Sequence, residues 1–333
     1  MSVIRKLLVY FLLLAGSLLI LITLCSLIYS SSLWFLQVLN FPRPEVLIAL
    51  IVCLTAYLLA SKQQTIARRV FLTGMVVSIG IQAYILFPYS PLANEAVRSA
   101  EPASVNRKSV FSILVANVWI ENRQVNDLLN IIADKDPTFV LTMEVNDWWV
   151  GQLQVLKKRY PYTITFPTDN AYGMALHSKL PLNNPQIQFL HHPRVPSFWA
   201  DVTLPDGKTF RLVTLHPVAP APSKYPTNIG GKEVALVRAG RMLAGHSQPT
   251  VVAGDFNDVG WSHNTTKFAR VSGLHDIRYG RGLYSTFNAH SWLMRWPLDY
   301  VFVSSHFRVL AVDRLPGFGS DHFPYYVQLT LQP

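Results

Sequence analysis

From Leu7 to Pro42 the chain carries no charged side chain, and Val46–Ser61 and Val70–Asn94 are equally free of them. A helix that crosses a hydrocarbon layer about 30 Å thick needs about 20 apolar residues. The spacing predicts three membrane spans, at residues 7–29, 46–61 and 70–87, in an anchor that covers residues 1–87. The middle run is short for a span and needs Lys62 to snorkel or the bilayer to thin locally. A re-entrant or interfacial helix is the alternative there.

Arg5 and Lys6 precede the first run and Lys62, Arg68 and Arg69 lie between the second and third, while the opposite side carries Arg43 and Arg98. The positive-inside rule puts the amino terminus and residues 61–69 in the cytoplasm, so three spans send the remainder of the chain across. If the middle run does not span, the remainder stays cytoplasmic. The first run is longer than that of a signal peptide and no small-residue cleavage site follows it. Leu24 is too bulky to precede a lipid-modified Cys25. Both cysteines, Cys25 and Cys53, lie in apolar runs and carry no compartment signal. Residues 88–108 hold three prolines and no apolar periodicity, which predicts a linker into a domain of residues 109–333.

The whole chain is 50% hydrophobic and 14% charged, but its apolar excess is all in front. After residue 106 there are 22 Lys and Arg against 16 Asp and Glu. That mild basic excess suits a phosphate-bearing ligand or an anionic membrane surface, and equally a solvated basic face.

Strand patterns occupy Val110–Ala116, Thr138–Met143, Tyr162–Phe166, Gly173–His177, Phe198–Thr203, Thr209–Leu215, Val251–Ala253, Pro297–Val303 and Tyr325–Leu331. Helical spacing predicts helices over Gln124–Asp134, Trp148–Arg159, Glu233–Ala244 and Trp261–Arg270. Asp206-Gly207 marks a hairpin turn. Helices alternate with strands twice and hairpins fill the rest, which predicts an α/β sandwich of mixed sheets. Residues 218–231, rich in Pro, Ser and Gly, read as a surface loop long enough to lie over a site.

Polar residues recur where strands end: Asn117, Glu144, His216, Asp255, Asn257, Asp299, Asp321 and His322. Each has a bland reading. Gly254-Asp255-Phe256-Asn257 alone is an Asx-rich turn as readily as a site; Glu144 suits a sheet rim or the start of the helix that follows; His216 alone reads as structural. Together they form a hard, oxygen-rich donor set with no cysteine and no activated serine, which suits Mg²⁺ or Mn²⁺ rather than zinc. Metal-assisted phosphoester hydrolysis is the matching reaction class.

Ala116-Asn117-Val118, Met143-Glu144-Val145, Leu215-His216-Pro217, Gly254-Asp255-Phe256-Asn257, Pro297-Leu298-Asp299-Tyr300-Val301 and Gly319-Ser320-Asp321-His322 resemble, in this order, the motifs of the endonuclease/exonuclease/phosphatase superfamily, the fold of pancreatic deoxyribonuclease-like enzymes. Glu121-Asn122-Arg123, Gly173-Met174-Ala175-Leu176 and Trp261-Ser262 further resemble its membrane-anchored bacterial branch. The resemblance implies a Mg²⁺- or Mn²⁺-dependent hydrolase. Glu144 would ligate the metal, helped by Asn117 and Asp321. Asp255 would orient or deprotonate the attacking water, with Asn257 holding water and phosphate. His322, aligned by Asp299, would stabilise charge on the phosphoryl oxygens, and His216 would contact the phosphate or assist the leaving oxygen.

The implied partners are a bilayer, through the amino-terminal helices, and a phosphoester substrate: a lipid headgroup, as in related sphingomyelinases, a nucleic acid or another phosphoester. The implied location is a bacterial inner membrane with the domain periplasmic or extracellular. No aromatic or Arg array marks duplex DNA binding. Trp148, Trp149, Trp292, Arg295 and Trp296 read as core or rim packing, with contact to lipid headgroups or substrate as the alternative. A catalytically silent domain of the same fold, binding an anionic ligand or a protein, is the competing expectation.

Overall fold

The computed structural model describes residues 3–28, 34–61, 64–101, 105–219 and 235–332. Lys62, nearly all of the loop expected at 218–231 and the first residues of the helix expected at 233–244 lie outside them.

Helices α1 (Val3–Cys25), α3 (Arg43–Ala60) and α4 (Ile66–Leu86) are each long and apolar enough to cross a membrane, and a short α2 (Trp34–Val38) precedes α3. Helix α3 begins ahead of its apolar run because Pro44 sits in the first turn, where a missing N–H costs no hydrogen bond. The three helices share a seam of Leu12, Leu50, Cys53, Tyr57, Phe71 and Met75. Leu14, Leu18, Leu59, Val70 and Tyr84 remain exposed, leaving the bundle apolar on its outside as well. At one end Arg43 is buried and donates to Gln82 Oε1 (3.0 Å), Asn40 Oδ1 (2.7 Å) and Ser26 O (3.0 Å), while Gln82 Nε2 donates to Thr23 Oγ1 (3.1 Å). These bonds compensate the buried guanidinium and tie the ends of the three helices together.

The remainder is a sandwich of two six-stranded mixed sheets with helices on both outer faces. One sheet has the order β11 (Phe307–Arg314), β12 (Tyr325–Leu331), β1 (Val110–Asn117), β2 (Phe139–Met143), β4 (Met174–Ser178), β3 (Tyr162–Phe166). The other runs β5 (Leu182–Gln188), β6 (Ser197–Thr203), β7 (Thr209–Leu215), β8 (Thr250–Asp255), β10 (Asp299–Val303), β9 (His275–Asp276). Among the described strands, only β1–β2 and β7–β8 pair in parallel.

Side chains alternate across each strand, so one face meets the other sheet and one meets a helix. In β1, Phe111, Ile113 and Val115 enter the core between the sheets, whereas Leu114 and Ala116 face α5 (Val125–Lys135) and α6 (Asp147–Gln152). In β8, Val251 and Ala253 point inward and Val252 packs toward α7 (Ala235–Leu243) and α8 (His263–Ser272). The helix expected over Trp148–Arg159 divides: α6 ends at Gln152 and a 3₁₀ turn covers Leu153–Lys158.

Residues 88–101 are fastened to this sandwich despite their lack of periodicity. Tyr89 and Val97 are buried, Ala100 N donates to Val309 O (2.8 Å), and Glu95 pairs with Arg281 (2.9 Å). The anchor meets the domain nearby: Trp261 Nε1 donates to Asn40 O (2.7 Å), and Phe41 meets Trp296 edge to face at 5.4 Å.

Candidate active site

Parallel β1–β2 and β7–β8 lie in opposite sheets, and their carboxyl ends, together with the start of β10, open on the same edge of the sandwich. Asn117 and Asp255 are the last residues of β1 and β8, Asp299 the first of β10, and Glu144 and His216 follow β2 and β7 directly. Antiparallel register sets Asp299 opposite Asp255. The strands approach closely here: a Cβ on Gly254, whose φ is +145°, would come within 1.9 Å of Leu215 O, so only glycine fits.

Asn117 Nδ2 donates to Glu144 Oε1 (2.9 Å) and Asp255 Oδ2 (3.1 Å), bridging the two sheets. Its Oδ1 accepts from Trp119 N (3.0 Å), which fixes the amide orientation and turns its donor side to the carboxylates. Glu144 sits at φ +60° and its Oε2 accepts from Ile120 N (3.4 Å). Asp255 Oδ1 accepts from Asn257 N (2.7 Å); Asn257, at φ +52°, donates its Nδ2 to Pro217 O (3.0 Å) and so stays beside His216. His322 Nδ1 lies 2.8 Å from Asp299 Oδ2 and its Nε2 3.5 Å from Asp255 Oδ2, while His216 Nε2 is 3.9 Å from the same oxygen. Asp321 is partly exposed at the rim, where its backbone oxygen accepts from Ala289 N (2.7 Å).

The structure therefore brings all eight candidate residues to one place. It adds others that hold them. Ser320 Oγ donates to Asn117 O (2.7 Å) and accepts from His322 N (3.1 Å); Thr286 Oγ1 accepts from Asp299 N (3.3 Å); the ring of Tyr172 lies 5.4 Å from that of His216. Ser320 stood within a recognisable motif. Thr286 and Tyr172 carry no sequence signal, because what matters is their place in the fold.

Burial pushes the Glu144 carboxyl up to about 7; the Asn117 hydrogen bond and the His322 charge oppose it, and Asp321 and Asp255 add to it. Burial likewise raises Asp255, with Asp299 reinforcing and the histidines opposing. Burial takes His216 down to about 4, leaving it neutral. It also acts against a charged His322, but Asp299 and Asp255 outweigh it and hold this imidazole at about 10.

Four carboxyl groups thus face one imidazolium. Among the described residues, Asp299 Oδ1 and both ring nitrogens of His216 are buried without a hydrogen-bond partner. Asp255, Asp299 and His322 form a group whose candidate ligand atoms lie within 4.8 Å of one another. An anionic, oxygen-rich pocket with unsatisfied polar atoms fits a hard divalent cation.

Residues 114–322 match the model of the endonuclease/exonuclease/phosphatase family, well over half of the chain. The chain belongs to this family. Solved structures share the family fold at low identity. A family protein from Bacteroides thetaiotaomicron is 17% identical with a TM-score of 0.52, the match covering 67% of this chain and 96% of that one. The human Nocturnin catalytic domain with bound sulfate anion is 19% identical with a TM-score of 0.54, covering 68% and 96%. D. rerio TDP2 complexed with single strand DNA product is 16% identical with a TM-score of 0.53, covering 67% and 99%. No curated protein matches. The three apolar helices lie ahead of the family match.

Proposed function

We propose that this chain is a membrane-anchored, divalent-metal-dependent phosphoesterase of the bacterial branch of the family, acting on the outer side of the membrane. The observation that carries the reading is the buried His322 imidazolium held between Asp299 and Asp255, beside a Glu144–Asn117 pair from the other sheet. A protein that merely binds an anion gains nothing from four carboxyl groups in the pocket.

Glu144 and Asp321 would supply oxygen ligands for Mg²⁺ or Mn²⁺, which would polarise the phosphoryl oxygens. Asn117 positions: its amide donor holds Glu144 and Asp255 in place across the sheets. Asp255 orients the attacking water and takes its proton, and Asn257, pinned on Pro217 O, keeps water and phosphate in line with it. The group of Asp255, Asp299 and His322 serves as a proton-holding unit, since an imidazole charged through its contact with Asp299 donates to oxygen rather than ligating metal. His322 thereby stabilises charge growing on the phosphoryl oxygens. Neutral His216 contacts the phosphate and assists the leaving oxygen.

The purified full chain should hydrolyse a member of a panel of nucleic acid, phospholipid, sphingomyelin, inositol phosphate and nitrophenyl phosphoesters when Mg²⁺ is present. Asp255→Asn should lower that rate about a hundredfold or more, the usual worth of a positioned general base. Activity that survives EDTA, or persists in Asp255→Asn, overturns the mechanism.

A further inference from the structure

The segment between Thr286 and Pro297 forms a loop whose base is built into the site and whose tip is apolar. At the base, Phe287 pairs with both His322 and Trp296, Phe323 N donates to Thr286 O (2.9 Å), and Ala289 N donates to Asp321 O (2.7 Å). At the tip, Trp292 is 85% exposed, Leu293 60% and Met294 47%. Three consecutive large apolar residues exposed on a loop are costly in water and call for a partner surface.

Two relationships say which surface. The first is position. Trp296 packs edge to face on Phe41, two residues ahead of α3, at 5.4 Å between ring centroids. Helix α3 has 18 residues, about 27 Å at 1.5 Å per residue. It needs its full length to cross a core about 30 Å thick, so its first turn cannot stand clear of the bilayer. Trp296, packed on Phe41 just ahead of this turn, is therefore at the lipid boundary, and Trp292–Met294 adjoin it in the chain.

The second is backbone satisfaction. A segment that dips toward the hydrocarbon core is favoured when it supplies its own hydrogen-bond partners. Ser291 Oγ accepts from Leu293 N (3.3 Å) and Met294 N (2.9 Å), the Arg295 guanidinium donates to Ser291 O, and Asn288 Oδ1 accepts from His290 N (2.8 Å). These backbone groups are satisfied within the loop while Trp292, Leu293 and Met294 are exposed, and tryptophan favours the headgroup level.

We propose that residues 291–295 insert into the lipid interface of the membrane that holds α1, α3 and α4, and that the site, fixed to the loop through Asp321 and His322, takes as substrate a phosphoester of a lipid in that same leaflet. The substrate half rests on the phosphoesterase reading above; the insertion half does not. On the other flank of the loop His290 meets Trp119 (5.8 Å between rings), the residue that donates to Asn117 Oδ1. The loop therefore stands between the rim of the site and the anchor, where a headgroup would be lifted only a short way from its leaflet.

The test uses the full chain in vesicles of phosphatidylethanolamine and phosphatidylglycerol. A Leu293→Cys variant, on a background of Cys25→Ser and Cys53→Ala, carries an environment-sensitive fluorophore. Insertion predicts a blue-shifted emission quenched by shallow spin-labelled lipid and protected from aqueous iodide; iodide quenching without lipid quenching overturns it. For the substrate, Trp292→Ser/Leu293→Ser/Met294→Ser should slow hydrolysis of vesicle phospholipid at least about tenfold more than hydrolysis of a soluble nitrophenyl phosphodiester, the effect expected from losing one or two buried apolar side chains. Equal effects on the two substrates, or a wild type that turns over the soluble ester and no phospholipid, overturn the substrate half. Failure to hydrolyse any phosphoester counts against the phosphoesterase reading, and the fluorophore still decides insertion.

Discussion

His322 Nδ1 lies 2.8 Å from Asp299 Oδ2, and both side chains are buried. A buried imidazole loses its proton easily; this one keeps it because Asp299, and Asp255 on its other nitrogen, outweigh the cost of burial. Its folded value of about 10 lies above the ordinary 6.5, so the charged form is present below that value and is lost as pH rises through it. Asp299→Asn removes the larger support and should bring this loss down into the neutral range. Hydrolysis by the variant should fall between about pH 6 and about pH 8 while the wild type is unaffected by this group there. Parallel pH–rate profiles would contradict the pairing.

Glu144 titrates near 7 in the protein without metal, and a cation binds its ionised form. Affinity for Mn²⁺, read by titration calorimetry, should therefore weaken as pH falls through about 7, because the proton competes. Glu144→Gln should weaken it more than about tenfold above about pH 7, at least the loss seen when supports of a metal ligand are removed, and should remove most of this pH dependence.

Gly254 allows the meeting of β7 and β8. A methyl group placed 1.9 Å from Leu215 O must push the strands apart, at a φ that favours glycine. Gly254→Ala should destabilise the domain by about 3 kcal/mol, at the top of the range for local backbone strain, and lower the midpoint of thermal unfolding. A midpoint equal to that of the wild type would show that the strands are less tightly joined.

Asp258 lies where α8 meets the anchor, near Asn40 and Phe41. Burial raises its carboxyl from 3.8 to about 7, against hydrogen bonds from Ser262 Oγ (2.7 Å) and Val259 N (2.8 Å). A raised carboxyl stabilises the fold fully below its unfolded value and loses that contribution as pH rises through the folded one. Stability should thus decline from about pH 4 to about pH 7 through this group, and Asp258→Asn should flatten the decline. Denaturant midpoints across that range check it.

Much of this was readable in advance, for identifiable reasons. Strands β3, β7 and β12 run over the residues their patterns indicate, and the eight polar residues converge because the parallel strands deliver their carboxyl ends, and antiparallel β10 and β12 their amino ends, to one edge. Strand β5 was not readable. Leu182–Gln188 is exposed along nearly its whole length, contains Pro185 and breaks register between Asn183 and Gln186, as an edge strand can. Strand β11, also at an edge, has a bulge between Val309 and Ala311 that spoils its alternation. Residues 88–101 looked like a linker because their anchors, Tyr89 and Val97, are single residues set in two different clusters. The roles of Asn117 and Thr286 depend on which atom faces which neighbour, and periodicity carries no such information.

The most direct measurement is hydrolysis of a phosphoester by the full chain in heavy-oxygen water with Mg²⁺. Attack of water on phosphorus, oriented by Asp255, predicts that the label appears in the phosphate product, that EDTA abolishes its appearance and that Asp255→Ala does the same. Label in the alcohol product, or turnover indifferent to EDTA, would contradict a metal-assisted displacement at phosphorus.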